Sequence, residues 1–134
     1  TMMRALGYLA QEGGRLGLSS PSAFYFLTGT LSAVLDNAPT YLNFLQLAMP
    51  GQELAPATIH PFIATPAGTL VLHAISTGAV FFGAMTYIGN GPNFMVKAIA
   101  EHAGVKMPSF FGYAARAAIF LLPVLVLNWW LRVG

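Results

Sequence analysis

Two short clusters hold most of the chemistry in this chain: Asp36-Asn37-Ala38-Pro39-Thr40 and, further on, Thr86 with Gly89, Asn90, Gly91 and Asn93. Asp36 is a carboxylate that can hold a cation, carry a proton, or do both in competition. Amide oxygens, hydroxyls and free backbone carbonyls are the hard ligands a small alkali cation accepts; Asn37, Thr40 and Asn90 form the candidate sodium set. Helix starts favour anions instead. Asn37-Ala38-Pro39-Thr40 and Asn90-Gly91-Pro92-Asn93 share one local form, Asn, small, Pro, polar. The plainer roles are a cap for Asp36, on amides around Ala38 to Thr40, and turn formation for each Asn. His73, near Ser76 and Thr77, suits a helix-helix hydrogen bond or a proton relay. His60 falls in a proline-rich stretch and His102 beside Glu101, both positions that suit solvated rings. Histidine spacing matches no metal motif, and Gly89-Asn90-Gly91 lacks the strand and Lys of a phosphate loop.

The surroundings of these residues are almost uncharged. Six basic and four acidic residues in 134 make 7% charged against 56% apolar, where a soluble domain has about a quarter charged. Residues 54–96 contain no Asp, Glu, Lys or Arg, and residues 16–52 contain Asp36 alone. Such a composition belongs in lipid and removes most soluble-enzyme readings. An intramembrane carboxylate is costly to bury unpaired, which makes Asp36 a functional candidate. With no cysteine, disulfides, zinc-thiolate sites and a Cys nucleophile are excluded. A dispersed net charge of +2 gives no basic patch for nucleic acid. No cofactor is called for beyond transported or coupling Na+ and H+, and lipid is the first partner.

The fold class that positions these clusters is an all-α integral membrane protein. Residues 1–18, with Arg4, Glu12 and Arg15 and a break at Gly13-Gly14, suit an amphipathic interfacial segment. Ser19-Ser20-Pro21 signals a helix start. The apolar stretch 19–48 is interrupted at 36–40, and each arm is too short to cross the roughly 30 Å hydrocarbon layer alone. It reads either as a re-entrant hairpin with its tip at 36–40 or as one span kinked at Pro39. Residues 49–66, with Pro50, Pro56, Pro61 and Pro66, are expected to form an extended surface loop. The stretch 67–102 reads as a discontinuous transmembrane helix broken at 86–93, with Gly78, Ala79, Gly83 and Ala84 permitting close packing. Residues 108–133 read as a spanning helix with an aromatic belt at both ends, kinked at Pro123. Unwound backbone at membrane depth is tolerated only where protein buries it or a wet cavity receives it. Two matched breaks therefore point to transport, since broken helices surround the ions of secondary transporters. An integral-membrane enzyme or structural subunit using Asp36 and His73 is the alternative of another class.

With these residues in view, LSAVLDNAPTYLNF (31–44) followed by GAVFFGAMTYIGNGPNFMVKAIAEHAGVKMPSFFGY (78–113) resembles the C-terminal part of bacterial sodium/proton antiporters of the ArsB/NhaD kind. These belong to the ion transporter superfamily, whose members also carry citrate, dicarboxylates or arsenite. The resemblance covers about residues 5–133 and implies two inverted repeats, each with a re-entrant hairpin and a broken helix, of which this chain is the second. It implies that Asp36, Asn37, Ala38, Pro39 and Thr40 form the hairpin tip, and that Thr86, Gly89, Asn90, Gly91 and Asn93 lie in the unwound loop, the two together clasping a cation. The first repeat supplies the rest of the site. A multi-pass protein of the bacterial inner membrane, working as a homodimer, is the further implication. The expected activity is sodium/proton antiport by alternating access, with a sodium-coupled citrate or dicarboxylate carrier as the alternative. Lys97 and Lys106 point weakly to a cytoplasmic loop, because the termini bring the basic count to a tie of three to three.

Overall fold

The computed structural model describes residues 20–133, all of whose regular structure is helical; the amphipathic segment expected at 1–18 lies outside the described residues. Six helices follow one another: α1 Pro21–Ser32, α2 Asn37–Ala48, α3 Pro56–Ile63, α4 Pro66–Phe82 continued by a 3₁₀ turn Gly83–Met85, α5 Gly91–His102 and α6 Phe110–Arg132. Three of their starts are chemically alike. Ser20, Thr65 and Ser109 each turn a hydroxyl onto an amide three residues on, at Ala23, Gly68 and Gly112 (3.2, 3.0 and 3.2 Å). Pro21, Pro56 and Pro66 take the first helical position, where the missing N–H would have had no acceptor.

Pro39 plays a comparable part in α2. It sits in the first turn, after Asn37 and Ala38, so its absent donor is not missed. Were α1 to continue through it, its ring would meet the Leu35 carbonyl. The helix instead stops at Ser32, and Asp36 takes an extended conformation (φ −62°, ψ 143°) before α2 begins.

The stretch 49–66 is not wholly extended, as α3 occupies its second half. Proline count misleads there because Pro56 begins the helix instead of breaking it. Thr58 secures that first turn by accepting from the Ala55 amide (3.2 Å), and Pro61 precedes the helix end by two residues. At the far end of α5, Gly104 adopts φ +82° and the Val105 and Gly104 amides bond to Ala100 (2.9 Å) and Glu101 (3.0 Å) carbonyls. This is the left-handed closure that glycine makes without strain. α6 remains one helix through Pro123.

Close packing of α1 on α4 forms the centre of the fold. A Cβ on Gly78 would lie 2.6 Å from the Tyr25 carbonyl, so only glycine lets the two backbones approach this closely. Tyr25 lies against Gly78, Gly29 against Phe82 and Ser32 against Ala79, so the two helices run in the same direction. α2 turns back on them: Asn37 at its start lies beside Gly83, while Phe44, two turns on, joins Phe24, Tyr25, Ala74 and Ile75 in the core. The ends of α1 and α2 away from the tip therefore face the same way.

α6 runs antiparallel to both α1 and α4. Near its end, the Tyr25 hydroxyl donates to the Leu125 carbonyl (2.9 Å), Asn128 donates to the Tyr25 oxygen (3.3 Å), and the Trp129 indole donates to Ser22 (3.0 Å). Near its start, Tyr113 donates to the Ala84 carbonyl (3.0 Å) and its ring stacks on Tyr87 at 4.2 Å. The break after α4 is thus level with the first turns of α6. Two helices, Pro66–Met85 with 20 residues and Phe110–Arg132 with 23, are long and apolar enough to cross a membrane. α6 keeps one buried residue, Leu125, and exposes Phe111, Ile119, Phe120, Val124, Leu127 and Leu131.

Candidate functional site

The two breaks meet. Asn37 opens α2, and the hydrogen-bond network assigns its inward amide atom to nitrogen, which donates to Gly89 O (2.7 Å) and Ser32 Oγ (2.9 Å) and approaches Ala79 O (3.1 Å). Ser32 in turn donates to the Ala79 carbonyl. From the other side, the Thr86 hydroxyl donates to the Ala33 carbonyl at the end of α1 and accepts from the Gly89 amide (3.0 Å). Asn93 reaches back from α5 to Thr86 O (3.1 Å) and Gly83 O (3.3 Å). One polar knot therefore ties the ends of α1 and α4 to the beginnings of α2 and α5.

Two glycines make room for it. A Cβ on Gly83 would run into the Asn37 amide, and one on Gly89 would sit 2.7 Å from Ala33 O and Gly83 O and 2.8 Å from Ser32 O. The carbonyls that crowd Gly89 belong to the negative ends of α1 and α4. Ala33 O and Gly83 O already receive Thr86 and Asn93, and the amide of Asn37 fills the oxygen-lined space beside Gly89. What the knot leaves open is the opposite kind of group. The Ala38 and Gly91 amides, in the first turns of α2 and α5, make no hydrogen bond among the described residues, and both residues are exposed.

Of the residues singled out from sequence, Asn37, Thr86, Gly89 and Asn93 are thus in one network. Ala38, Pro39 and Gly91 are exposed around it. Asp36 is exposed too, its carboxylate accepting from the Asn37 amide (2.9 Å) as the cap of α2. Thr40 is buried, with its hydroxyl donating to Asp36 O (2.8 Å), and Asn90 begins α5 without a side-chain cap bond. Asn37, Thr40 and Asn90 do not converge on one point through their side-chain contacts. His73 lies ten residues before Gly83, about 15 Å along the helix at 1.5 Å per residue, where it lines a shallow cleft with Arg132 outside the knot. Sequence reading passed over Ser32 and Ala33, and took Ala79 and Gly83 only as packing residues. The stripe Gly78, Ala79, Gly83 reads as a close-packing face, but which backbone packs on it is settled only by the fold.

Residues 20–133, helical throughout their regular structure, with two span-length apolar helices and two breaks that interlock, are organised as a helical membrane protein. A family model described as "Putative citrate transport" matches residues 3–133, and the chain belongs to that family. The family points to a transporter, and its description names citrate transport and not sodium/proton exchange. No curated protein and no solved structure matches the chain.

Proposed function

We propose that the chain is the second half of an inverted-repeat carrier that moves citrate or a related carboxylate together with a monovalent cation. The observation that carries this is that the Asn37 side chain, at the start of α2, reaches the loop just before α5, with the Ala38 and Gly91 amides of the two helix starts open. Positive helix ends and free amides bind carboxylates. Asp36 stands at the same tip, and its charge repels an incoming polyanion unless Na+ or H+ accompanies it. That repulsion couples cation to substrate: Asp36 is neutralised on loading and released on the other side. Asn37, Thr86, Gly89 and Asn93 hold the tip and loop together. The first repeat supplies the facing half of the site, in a homodimer of the bacterial inner membrane.

Uptake of labelled citrate by vesicles holding the full-length carrier tests this directly. Uptake is expected to follow an imposed sodium or proton gradient. Asp36→Asn is expected to remove that dependence, and Asn37→Ala to lower uptake by about tenfold to a hundredfold, the size of losing hydrogen bonds in a charged site. Uptake indifferent to both substitutions would overturn the assignment.

Sodium/proton exchange is the second reading, favoured by the exposed Asp36 carboxylate, where the two cations can compete. It predicts pH-dependent sodium exchange in everted vesicles, lost in Asp36→Asn, with no citrate uptake.

A further inference from the structure

At the other end of α4 from the knot, its first two turns and the end of α6 border a shallow, open cleft of about 310 Å³ lined by Pro66, Thr69, Leu70, His73 and Arg132. Its donors are cationic or neutral, and no carboxylate lines it among the described residues. Thr69 is not a free donor, because its hydroxyl is committed to the Ile63 carbonyl (2.6 Å). His73 Nδ1 is buried without a hydrogen-bond partner. An orphaned buried N–H is rarer than an orphaned acceptor, which leaves the ring proton on Nε2, where it can be donated. The positive end of α4 adds to the same potential. Three features therefore favour one anion here: the Arg132 guanidinium, an imidazole with a spare donor, and a helix start.

The position of the cleft decides which anion. Arg132 follows Trp129 and Trp130, residue types that settle at the headgroup level of a bilayer, and the same end of α6 exposes Leu127, Trp130 and Leu131. A soluble dianion finds no apolar counterpart there. A phospholipid does, with its phosphate on Arg132 and His73 and its chains along α6. We propose that this cleft is a headgroup site for an anionic phospholipid, held by Arg132 and His73 at the junction of α4 and α6. Guanidinium binds phosphate through paired hydrogen bonds. The inference requires that α4 and α6 cross a bilayer, and is independent of what the knot transports.

Native mass spectrometry of the full-length carrier in detergent, titrated with phosphatidylglycerol or phosphatidylcholine, tests the site. The unmodified protein is expected to retain phosphatidylglycerol in preference. Arg132→Gln is expected to weaken that retention about fivefold, the effect of one basic residue at an anionic surface, and Arg132→Lys to recover most of it. His73→Leu is expected to give a smaller loss in the same direction. Because Arg132 is exposed, its substitution leaves the packed core intact. Equal retention of the two lipids, or retention unchanged in Arg132→Gln, overturns the proposal. So does displacement of phosphatidylglycerol by millimolar inorganic phosphate, which would make the cleft a site for a soluble anion.

Discussion

Gly89 and Gly91 lie two positions apart in one loop and carry opposite expectations. The Cβ of Gly89→Ala would press on three carbonyl oxygens at 2.7–2.8 Å, all of them backbone and therefore unable to swing away. Separating the ends of α1 and α4 to accept it is expected to cost about 1–3 kcal/mol, as overpacking does, and to abolish uptake. Gly91 has nothing within 4 Å of its added Cβ, so Gly91→Ala is expected to leave the unfolding free energy in detergent within about 0.5 kcal/mol of the parent. Equal effects at the two positions would show that the knot does not hold the loop. Sequence alone marks both glycines as parts of one break, Gly89-Asn90-Gly91-Pro92-Asn93. It does not tell them apart, because the difference is made by Ser32, Ala33 and Gly83, which come from other turns of the chain. Asn37 is similar: its type and its place before Ala38-Pro39 are legible, but its role as an inward donor to Gly89 and Ser32 is tertiary.

Helix starts are the most legible elements because capping is local. Ser20-Pro21, Thr65-Pro66 and Ser109 carry their own instructions within four residues. The same locality explains the misreading of 49–66, where prolines counted as breakers include one, Pro56, that serves as a first residue. How elements attach is less legible. The link between α1 and α6 rests on Tyr25 and Asn128, more than a hundred positions apart in sequence, and neither stands out in an apolar run. Tyr25→Phe keeps the ring against Phe82 (5.5 Å between centroids) and Phe26 (5.2 Å), but deletes a donor to Leu125 O and an acceptor for Asn128. A loss of about 1 kcal/mol is expected, modest because the partners can find substitutes within a membrane. Tyr25→Ala, which also empties the core position, is expected to lose about 3–5 kcal/mol. Denaturation of the purified carrier in detergent with a graded denaturant distinguishes the two; a Phe variant as damaged as the Ala variant would place the role of Tyr25 in its hydroxyl alone.

At the scale of the whole molecule, the direction of each helix sets the sidedness of the chain. α1 and α4 run the same way and α6 returns, so Ser22, the start of α4 and Trp129 gather at one end, while Ala84, Tyr87 and Tyr113 gather at the other. Because α2 folds back, the segment 50–55 belongs with the first end, and α3 stays beside it, the Phe62 carbonyl lying against Gly68. α5 leaves from the second end, where Lys97 lies 5.5 Å from the Tyr87 ring centre and pairs with Glu101 at 2.6 Å. Single cysteines at Ser20, Gln52 and Lys106, all exposed, convert this into a measurement on a cysteine-free full-length carrier. A membrane-impermeant maleimide applied to intact cells is expected to label Ser20→Cys and Gln52→Cys alike, and Lys106→Cys only after the cells are opened. The common side of the first two is the decisive result, since a single kinked span from 19 to 48 would place them on opposite faces. Labelling of Lys106→Cys with the others would instead remove the crossing by α4. Reversal of all three together would invert the weak positive-inside orientation and leave the folded-back α1–α2 pair intact.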